Sequence, residues 1–208
     1  NPYHIYDVQK HTLIATEVIE DELYLKLTML FHDLGKKVTK TTDKNDVDHF
    51  YTHSRESVKI AKKILKRLKY DNYTINKVLI LIQYHDYRIE PKRKIIKKLL
   101  NKLEDVGLFE DLIKVNWADT LAKNPKYAKQ KILNLIECEK EFKHIINQKE
   151  CFNLKDLAIN GKDLISIGIK PGKDIGYILN KMLEIVINNP ELNEKEILKE
   201  KALNIYTF

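Results

Sequence analysis

Residues 31–36 read Phe31-His32-Asp33-Leu34-Gly35-Lys36, and this stretch decides how the rest of the chain is interpreted. An imidazole and a carboxylate stand side by side, directly before Leu34 and Gly35. Alone, such a pair is most simply a helix cap or a surface salt bridge. It becomes a candidate metal site because other side chains of ligand type occur at intervals along the chain. These are His11, His49, His53, His85 and Asp119.

The segment around the pair has the apolar spacing of a helix that runs from about residue 22 to residue 34. Its predicted core face consists of Leu23, Leu27, Leu30, Phe31 and Leu34. Gly35 is a natural C-terminal stop for this helix, so His32 and Asp33 lie in its last turn. There they can flank one metal ion, or Asp33 can bridge two ions about 3.5–4 Å apart.

The other candidate ligands, His49 excepted, fall on separate predicted helices: His11 on 7–19, His53 on 52–69, His85 on 74–87 and Asp119 on 108–123. The first of these helices is capped by Asp7. Its core face is formed by Val8, Ile14, Ala15, Val18 and Ile19. Asp119 stands beside an apolar stripe, where an unpaired carboxylate is costly, so a metal, an arginine or a lysine is expected as its partner. His49 belongs to a polar loop, 36–51.

The composition favours helices, with only 6 Gly and 5 Pro in 208 residues. We find no strand alternation of useful length. The predicted architecture is all-α, with a helical core domain over residues 1–148 and a small helical C-terminal domain over residues 149–208.

The expected compartment is the cytoplasm. The start of the chain, residues 1–4, is polar and lacks the apolar region of a signal peptide, and the apolar runs are too short to cross a bilayer. No membrane partner is therefore expected. Cys138 and Cys151 are predicted to be free thiols.

The formal net charge is +7, from 37 Lys and Arg against 30 Asp and Glu, and this favours an anionic partner, nucleic acid first. Lysine-rich sequences also arise from AT-rich genomes. Two predicted helices carry basic faces that are either solvated or in contact with phosphate. The residues are Lys59, Lys63 and Lys66 in the predicted helix 52–69 and Lys94, Lys97 and Lys98 in the predicted helix 92–102.

The ordered series His11, His32-Asp33, His53, His85 and Asp119 resembles the HD-domain metal-dependent phosphohydrolases. The segments 31–36, 49–53 and 118–122 resemble the HD region of bacterial tRNA nucleotidyltransferases, the CCA-adding enzymes. The tail segments 157–164 and 168–176 are similar to the end of those chains. One departure is Lys37, where the family usually has proline. A larger one is that the nucleotide-adding head is missing, so we expect no CCA addition by this chain alone.

The resemblance implies an HD-domain helical bundle and a divalent metal, one or two ions per chain, of Mn, Ni, Fe, Co, Zn or Mg. It implies that His11, His32, Asp33 and Asp119 bind the first ion. In members with two ions, His53 and His85 would hold the second. Lys36 is placed for a contact with substrate phosphate.

The leading hypothesis is a phosphohydrolase of the 2′,3′-cyclic phosphodiesterase or phosphatase type, linked to tRNA 3′-end processing. The expected catalytic residues are Asp33, Lys36 and Asp119, with in-line attack by a metal-activated water. One alternative is a tRNA-binding module with a non-catalytic metal site. Another is a phosphohydrolase of free nucleotides. The sequence leaves the oligomeric state open.

Overall fold

The computed structural model describes residues 7–206, except for the side chain of Tyr127. The polar start at residues 1–4, on which the expectation about a signal peptide rests, lies outside this range. The helices, in chain order, are α1 Val8–Val18, α2 Leu23–Phe31, α3 Lys36–Thr39, α4 His53–Arg67, α5 Asn72–Tyr84, α6 Arg93–Leu103, α7 Val106–Leu121, α8 Pro125–Asn147, α9 Gly161–Ser166, α10 Lys173–Asn188 and α11 Lys195–Tyr206.

The predicted all-α class is confirmed. In the part of the chain that the structure describes, the only strands are β1 Thr41–Thr42 and β2 Asp48–His49, which form an antiparallel pair with Thr41 opposite His49. This small hairpin and α3 lie within the loop predicted at 36–51. Among residues 7–206, no helix is both long enough and apolar enough to cross a membrane.

The chain divides into two compact units, the first formed by 1–90 and 106–137 and the second by 91–105 and 138–208. The predicted domain boundary at 148 stays a prediction. The observed units differ from the predicted domains because α6 and the second part of α8 belong to the same unit as the C-terminal helices.

The first unit is built around α2, which packs against α1, α5 and α7, while α4 packs against α5. The start of α1 is as predicted, since the Asp7 carboxylate accepts a hydrogen bond from the Lys10 N–H at 2.7 Å. One apolar cluster joins α2, α4 and α5 through Leu27, Phe31, Ala61, Leu65, Ile75, Val78 and Ile82.

The predicted core faces of α1 and α2 are partly wrong. Leu23, Leu30 and Leu34 are exposed, whereas Leu25 and Met29 are fully buried. Because three helices surround α2, its buried surface is set by these neighbours and not by a single stripe. On α1, Val8 and Val18 are likewise exposed.

The second unit has its own apolar cluster, formed mainly by α9, α10 and α11. Both cysteines are buried free thiols, which confirms that prediction. Burial raises the pKa of the Cys151 thiol to about 11.

Candidate metal centre

Gly35 brings the His32-Asp33 pair up against α4. A Cβ atom at this position would lie 2.1 Å from the His53 carbonyl oxygen, so no other residue fits. The Gly35 N–H also donates to the Ser57 hydroxyl at 2.8 Å. The helix was predicted to run to about residue 34 and stop at Gly35, but α2 ends at Phe31 and Gly35, with φ −67° and ψ −20°, directly precedes α3. Glycine is required here for the close approach to α4.

Four buried imidazoles converge in the first unit, and all four are oriented in the same way. Each Nδ1 lies 2.6–3.1 Å from a main-chain carbonyl oxygen, which can only accept. The pairs are His11 with Ala122, His32 with Met29, His53 with Phe50 and His85 with Ile82. In the neutral imidazoles each Nδ1 therefore carries the proton and each Nε2 presents a lone pair to the centre, as a metal ligand requires. When they are also protonated at Nε2, the same rings donate to the neighbouring carboxylates instead.

These lone pairs face one another at close range. The Nε2 atoms of His11 and His32 are 3.3 Å apart, and those of His53 and His85 are 3.2 Å apart. Two ligand atoms that each lie about 2.1 Å from one ion, at right or tetrahedral angles, are about 3.0–3.4 Å apart. Facing lone pairs repel, so a cation between them is the arrangement that fits.

Asp33 stands between the two histidine pairs and contacts both. Its Oδ2 lies 3.2 Å from His32 Nε2, and its Oδ1 lies 3.4 Å from His53 Nε2. Within residues 7–206, Oδ1 is buried without a hydrogen-bond partner. Two sets of side chains could hold a metal ion, His11-His32-Asp33 and Asp33-His53-His85, and Asp33 is common to both. A carboxylate shared in this way suits one ion or a bridged pair.

Asp119 of α7 completes the first set, with its Oδ1 3.3 Å from His11 Nε2. Its other oxygen accepts from Lys123 at 2.6 Å and Lys131 at 3.2 Å. The sequence left a metal or a basic residue open as its partner, and the structure supplies lysines while leaving one oxygen towards the histidines. Neither lysine was singled out from the sequence, although Lys123 follows Asp119 by one helical turn.

Both carboxylates are held in the ionised form. Burial raises the pKa of Asp33, but His32, His85 and Lys36 outweigh it and bring the pKa well below its usual range. The pKa of Asp119 is lowered in the same way, by His11 and the two lysines against the effect of burial. Burial, and then the neighbouring His85, lowers the pKa of His53 and favours the neutral ligand form.

A cavity of about 270 Å³ opens beside the centre, lined by Asp33, Lys36, Phe50, Tyr51, His53, His85, Asp86, Asp119 and Lys123. Lys36 donates to Asp33 Oδ2 at 2.6 Å and is therefore within reach of a ligand in this cavity. Asp86 and Tyr51 were not predicted as site residues. The position of Asp86 directly after His85 is the only feature of the sequence that could have indicated it. His49 lies outside the centre, with its Nε2 3.0 Å from Asp43.

The predicted phosphate-binding lysines fall into two groups. Lys59, Lys63 and Lys66 are exposed along α4, and Lys94 is exposed on α6, where Lys98 is half-buried. Lys97 is the exception and corrects the prediction, since it is 1% exposed and forms an ion pair with Glu150. It follows the apolar positions Ile96, Leu99 and Leu100 into the interior of the second unit, so it cannot contact a nucleic acid backbone.

The fold and the site thus define the class of protein: an all-α protein with a buried histidine–aspartate centre. Residues 49–202 match the family described as tRNA nucleotidyltransferase domain 2 putative, and the chain belongs to this family. It is 40% identical over 65 residues to a CCA-adding enzyme of Ligilactobacillus salivarius, covering 31% of this chain and 16% of the relative.

A second relative is the CC-adding tRNA nucleotidyltransferase of Thermus thermophilus, 26% identical over 187 residues. That match covers 84% of this chain and 40% of the relative, so the chain spans well under half the length of either protein. No solved structure gives a significant match.

Proposed function

We propose that the chain is an HD-type metal-dependent phosphohydrolase that cleaves phosphoesters such as 2′,3′-cyclic nucleotides, in association with tRNA 3′-end processing. One observation carries the proposal: two pairs of imidazole Nε2 lone pairs converge on the two oxygens of Asp33. Mixed nitrogen and oxygen ligands of this kind suit divalent ions that hydrolyse phosphates. The family description and the name of the Thermus thermophilus relative, a CC-adding tRNA nucleotidyltransferase, support the link to tRNA.

His11, His32, Asp33 and Asp119 would hold the first ion, and His53 and His85 would hold a second one with Asp33. When bound, a divalent ion lowers the pKa of water and neutralises charge on phosphoryl oxygens. Hydrolysis forms one P–O bond to water and breaks the bond to the leaving alkoxide, which takes up a proton.

The protein residues have separate roles in this proposal. Lys36, at the edge of the cavity, stabilises the charge that builds on the phosphoryl oxygens. Asp33 and Asp119 can accept the proton of the attacking water. Their low pKa values make them weak bases, so the structure supports them more directly as ligands.

The test compares wild type with Asp33→Asn in the hydrolysis of 2′,3′-cyclic AMP and bis(p-nitrophenyl) phosphate. Each assay is run with Mn, Ni, Fe, Co, Zn or Mg added. Asp111→Asn is the matched control, because Asp111 is an equally buried aspartate of the first unit that pairs with Tyr24 and Lys77. We expect a loss of at least about 100-fold in Asp33→Asn alone. Equal rates in wild type and Asp33→Asn with every metal would sink the proposal.

A tRNA-binding module is the second candidate, favoured by the exposed lysines on α4. Lys59, Lys63 and Lys66 recur at spacings of four and three residues, which places them on one helix face. Binding of tRNA without turnover of any phosphoester would favour this candidate. A panel of free nucleotides separates a nucleotide phosphohydrolase from both.

A further inference from the structure

A second cavity of about 760 Å³ adjoins the metal centre within the first unit. It shares Asp33, Lys36 and Phe50 with the smaller cavity, so the two cavities lie side by side, with most of the candidate ligands lining the smaller one. Its volume falls in the range of small-molecule sites, about 300–1,000 Å³. A phosphate held at the metal centre would therefore leave the rest of its molecule facing this cavity.

The walls of the larger cavity are apolar. Val8 and Leu13 of α1 and Leu30 and Leu34 at the end of α2 line it, and all four side chains are exposed. Val8, Leu30 and Leu34 are three of the residues whose helical spacing assigned them to the core. Apolar residues at core-type positions that line a cavity beside a polar centre are typical of a binding site for an apolar group.

Polar and basic groups occur at definite places around these walls. Lys36, Lys37 and Lys40 lie on the side of α3, and Lys40 pairs with Asp48 at 2.7 Å. Gln9 and Thr12 of α1 add an amide and a hydroxyl. Phe50 lies between the two cavities and offers an aromatic face on which a planar ring can stack.

We propose that this cavity is the nucleoside subsite of the phosphohydrolase, which makes a nucleoside phosphoester the substrate class. This inference rests on the proposed function. The base lies against Leu13, Leu30 and Leu34, and the phosphate lies at the metal centre beside Lys36. A lipid or a peptide fits less well, because the adjoining cluster of imidazoles and carboxylates, once it holds a metal ion, suits a phosphate.

The test replaces Leu13 by glutamine and uses Leu23→Gln as the matched control. Both leucines are 57% exposed, and both lie on helices of the first unit, but only Leu13 lines the cavity. Leu13→Met serves as the conservative variant that keeps an apolar wall. Thermal unfolding of each variant shows whether the fold is retained.

Two readouts are measured on the metal-loaded chain. The first is kcat/KM for 2′,3′-cyclic AMP and for glycerol 1,2-cyclic phosphate, which has the same cyclic phosphodiester without a base. The second is the Kd of adenosine 3′-monophosphate and of inorganic phosphate by equilibrium dialysis. We expect Leu13→Gln to weaken adenosine 3′-monophosphate binding about 10-fold while phosphate binding is unchanged. Leu13→Met and Leu23→Gln should behave as wild type.

The two readouts separate this proposal from the proposed function. If no phosphoester is hydrolysed, the proposed function fails, and dialysis still decides whether the cavity binds the nucleoside. If hydrolysis depends on Asp33 but the two cyclic phosphates react equally well, the subsite proposal alone is overturned. Equal Kd values for Leu13→Gln and Leu23→Gln overturn it as well.

Discussion

The orientation of the four imidazoles is the residue-scale feature from which the site follows. A hydrogen bond from each Nδ1 to a main-chain carbonyl fixes both the tautomer and the ring plane. These carbonyls belong to the residue three positions earlier for His32, His53 and His85, so the local turn of the chain orients the ring. Only His11 relies on a distant carbonyl, that of Ala122 at the end of α7.

Because Asp33 is common to both ligand sets, the histidines can be removed one set at a time. We expect His85→Ala to lose the ion held with His53 and to keep the ion held by His11 and His32. His11→Ala should do the reverse, and Asp33→Asn should weaken both sites about 10–100-fold. Elemental analysis after equilibrium dialysis against Mn²⁺ gives the number of ions per chain.

His49→Ala is the control for this series, since His49 pairs with Asp43 outside the centre. It should bind as many ions as wild type. A chain that binds a single ion, lost equally in His85→Ala and His11→Ala, would contradict the division into two sets.

Among the contacts between secondary-structure elements, the one between Gly35 and α4 holds the His32-Asp33 turn against the helix that carries His53. A Cβ at Gly35 would overlap the His53 carbonyl oxygen at 2.1 Å and crowd the Ser57 nitrogen at 2.7 Å, both main-chain atoms that a side-chain rotation cannot move. We expect Gly35→Ala to lower the free energy of unfolding by about 1–3 kcal/mol or more. It should also weaken metal binding, because α4 carries His53. Urea unfolding and elemental analysis measure the two effects.

Gly176→Ala is the matched control for this substitution. Gly176 lies inside α10, and a Cβ there would meet nothing within 4 Å. Alanine should raise the free energy of unfolding by about 0.5–1 kcal/mol, as in other helix interiors. If Gly35→Ala were as stable as Gly176→Ala, the close packing of the His32-Asp33 turn on α4 would be wrong.

The positions of the helices could be predicted from the sequence, but their buried faces could not. The cap at Asp7 and the apolar periods place α1 and α5 within two or three residues. Whether Leu30 or Met29 is buried depends on which helices surround α2, and this information lies outside the segment. The candidate ligands were found from their residue types and from the resemblance of their order to a known family, and the bridging of two ions by Asp33 was already one of the possibilities. The orientation of the four imidazole rings required coordinates.

Lys97 shows the same limit for charged residues. Its basic surroundings on α6 predicted exposure, but its partner Glu150 is 53 positions away in the sequence. We expect Lys97→Met to lower the free energy of unfolding by about 1–3 kcal/mol, because the half-buried Glu150 carboxylate loses its shortest ion pair and keeps Arg93 and His144. Lys94→Met, at an exposed position of the same helix, should change it by less than about 0.5 kcal/mol. Urea unfolding of the two variants measures the difference, and equal stability would contradict the burial of Lys97.

At the scale of the whole molecule, the net charge of +7 has to be divided between structural and exposed lysines before it says anything about a partner. Lys36, Lys97, Lys123 and Lys131 are engaged with buried carboxylates. The lysines of α4 are exposed and share one helix face, so they are available to a phosphate backbone. Composition indicates the sign of a partner's charge, and the exposure of each lysine limits which surfaces are candidates.

The last prediction concerns tRNA binding by this surface. Each lysine that neutralises a phosphate makes binding more salt-dependent, because it releases a condensed counterion. We expect replacement of Lys63 and Lys66 by alanine to weaken tRNA binding and to reduce the slope of log Kd against log salt by about 1 per lysine. Alanine at Lys181 and Lys195, two exposed lysines of the second unit, removes the same charge and should leave the slope within about 0.5 of wild type. Binding isotherms from 50 to 200 mM salt, a range of about fourfold, measure the slopes. If both double variants lowered the slope equally, tRNA would be responding to net charge and not to α4, and the assignment of this face would be wrong.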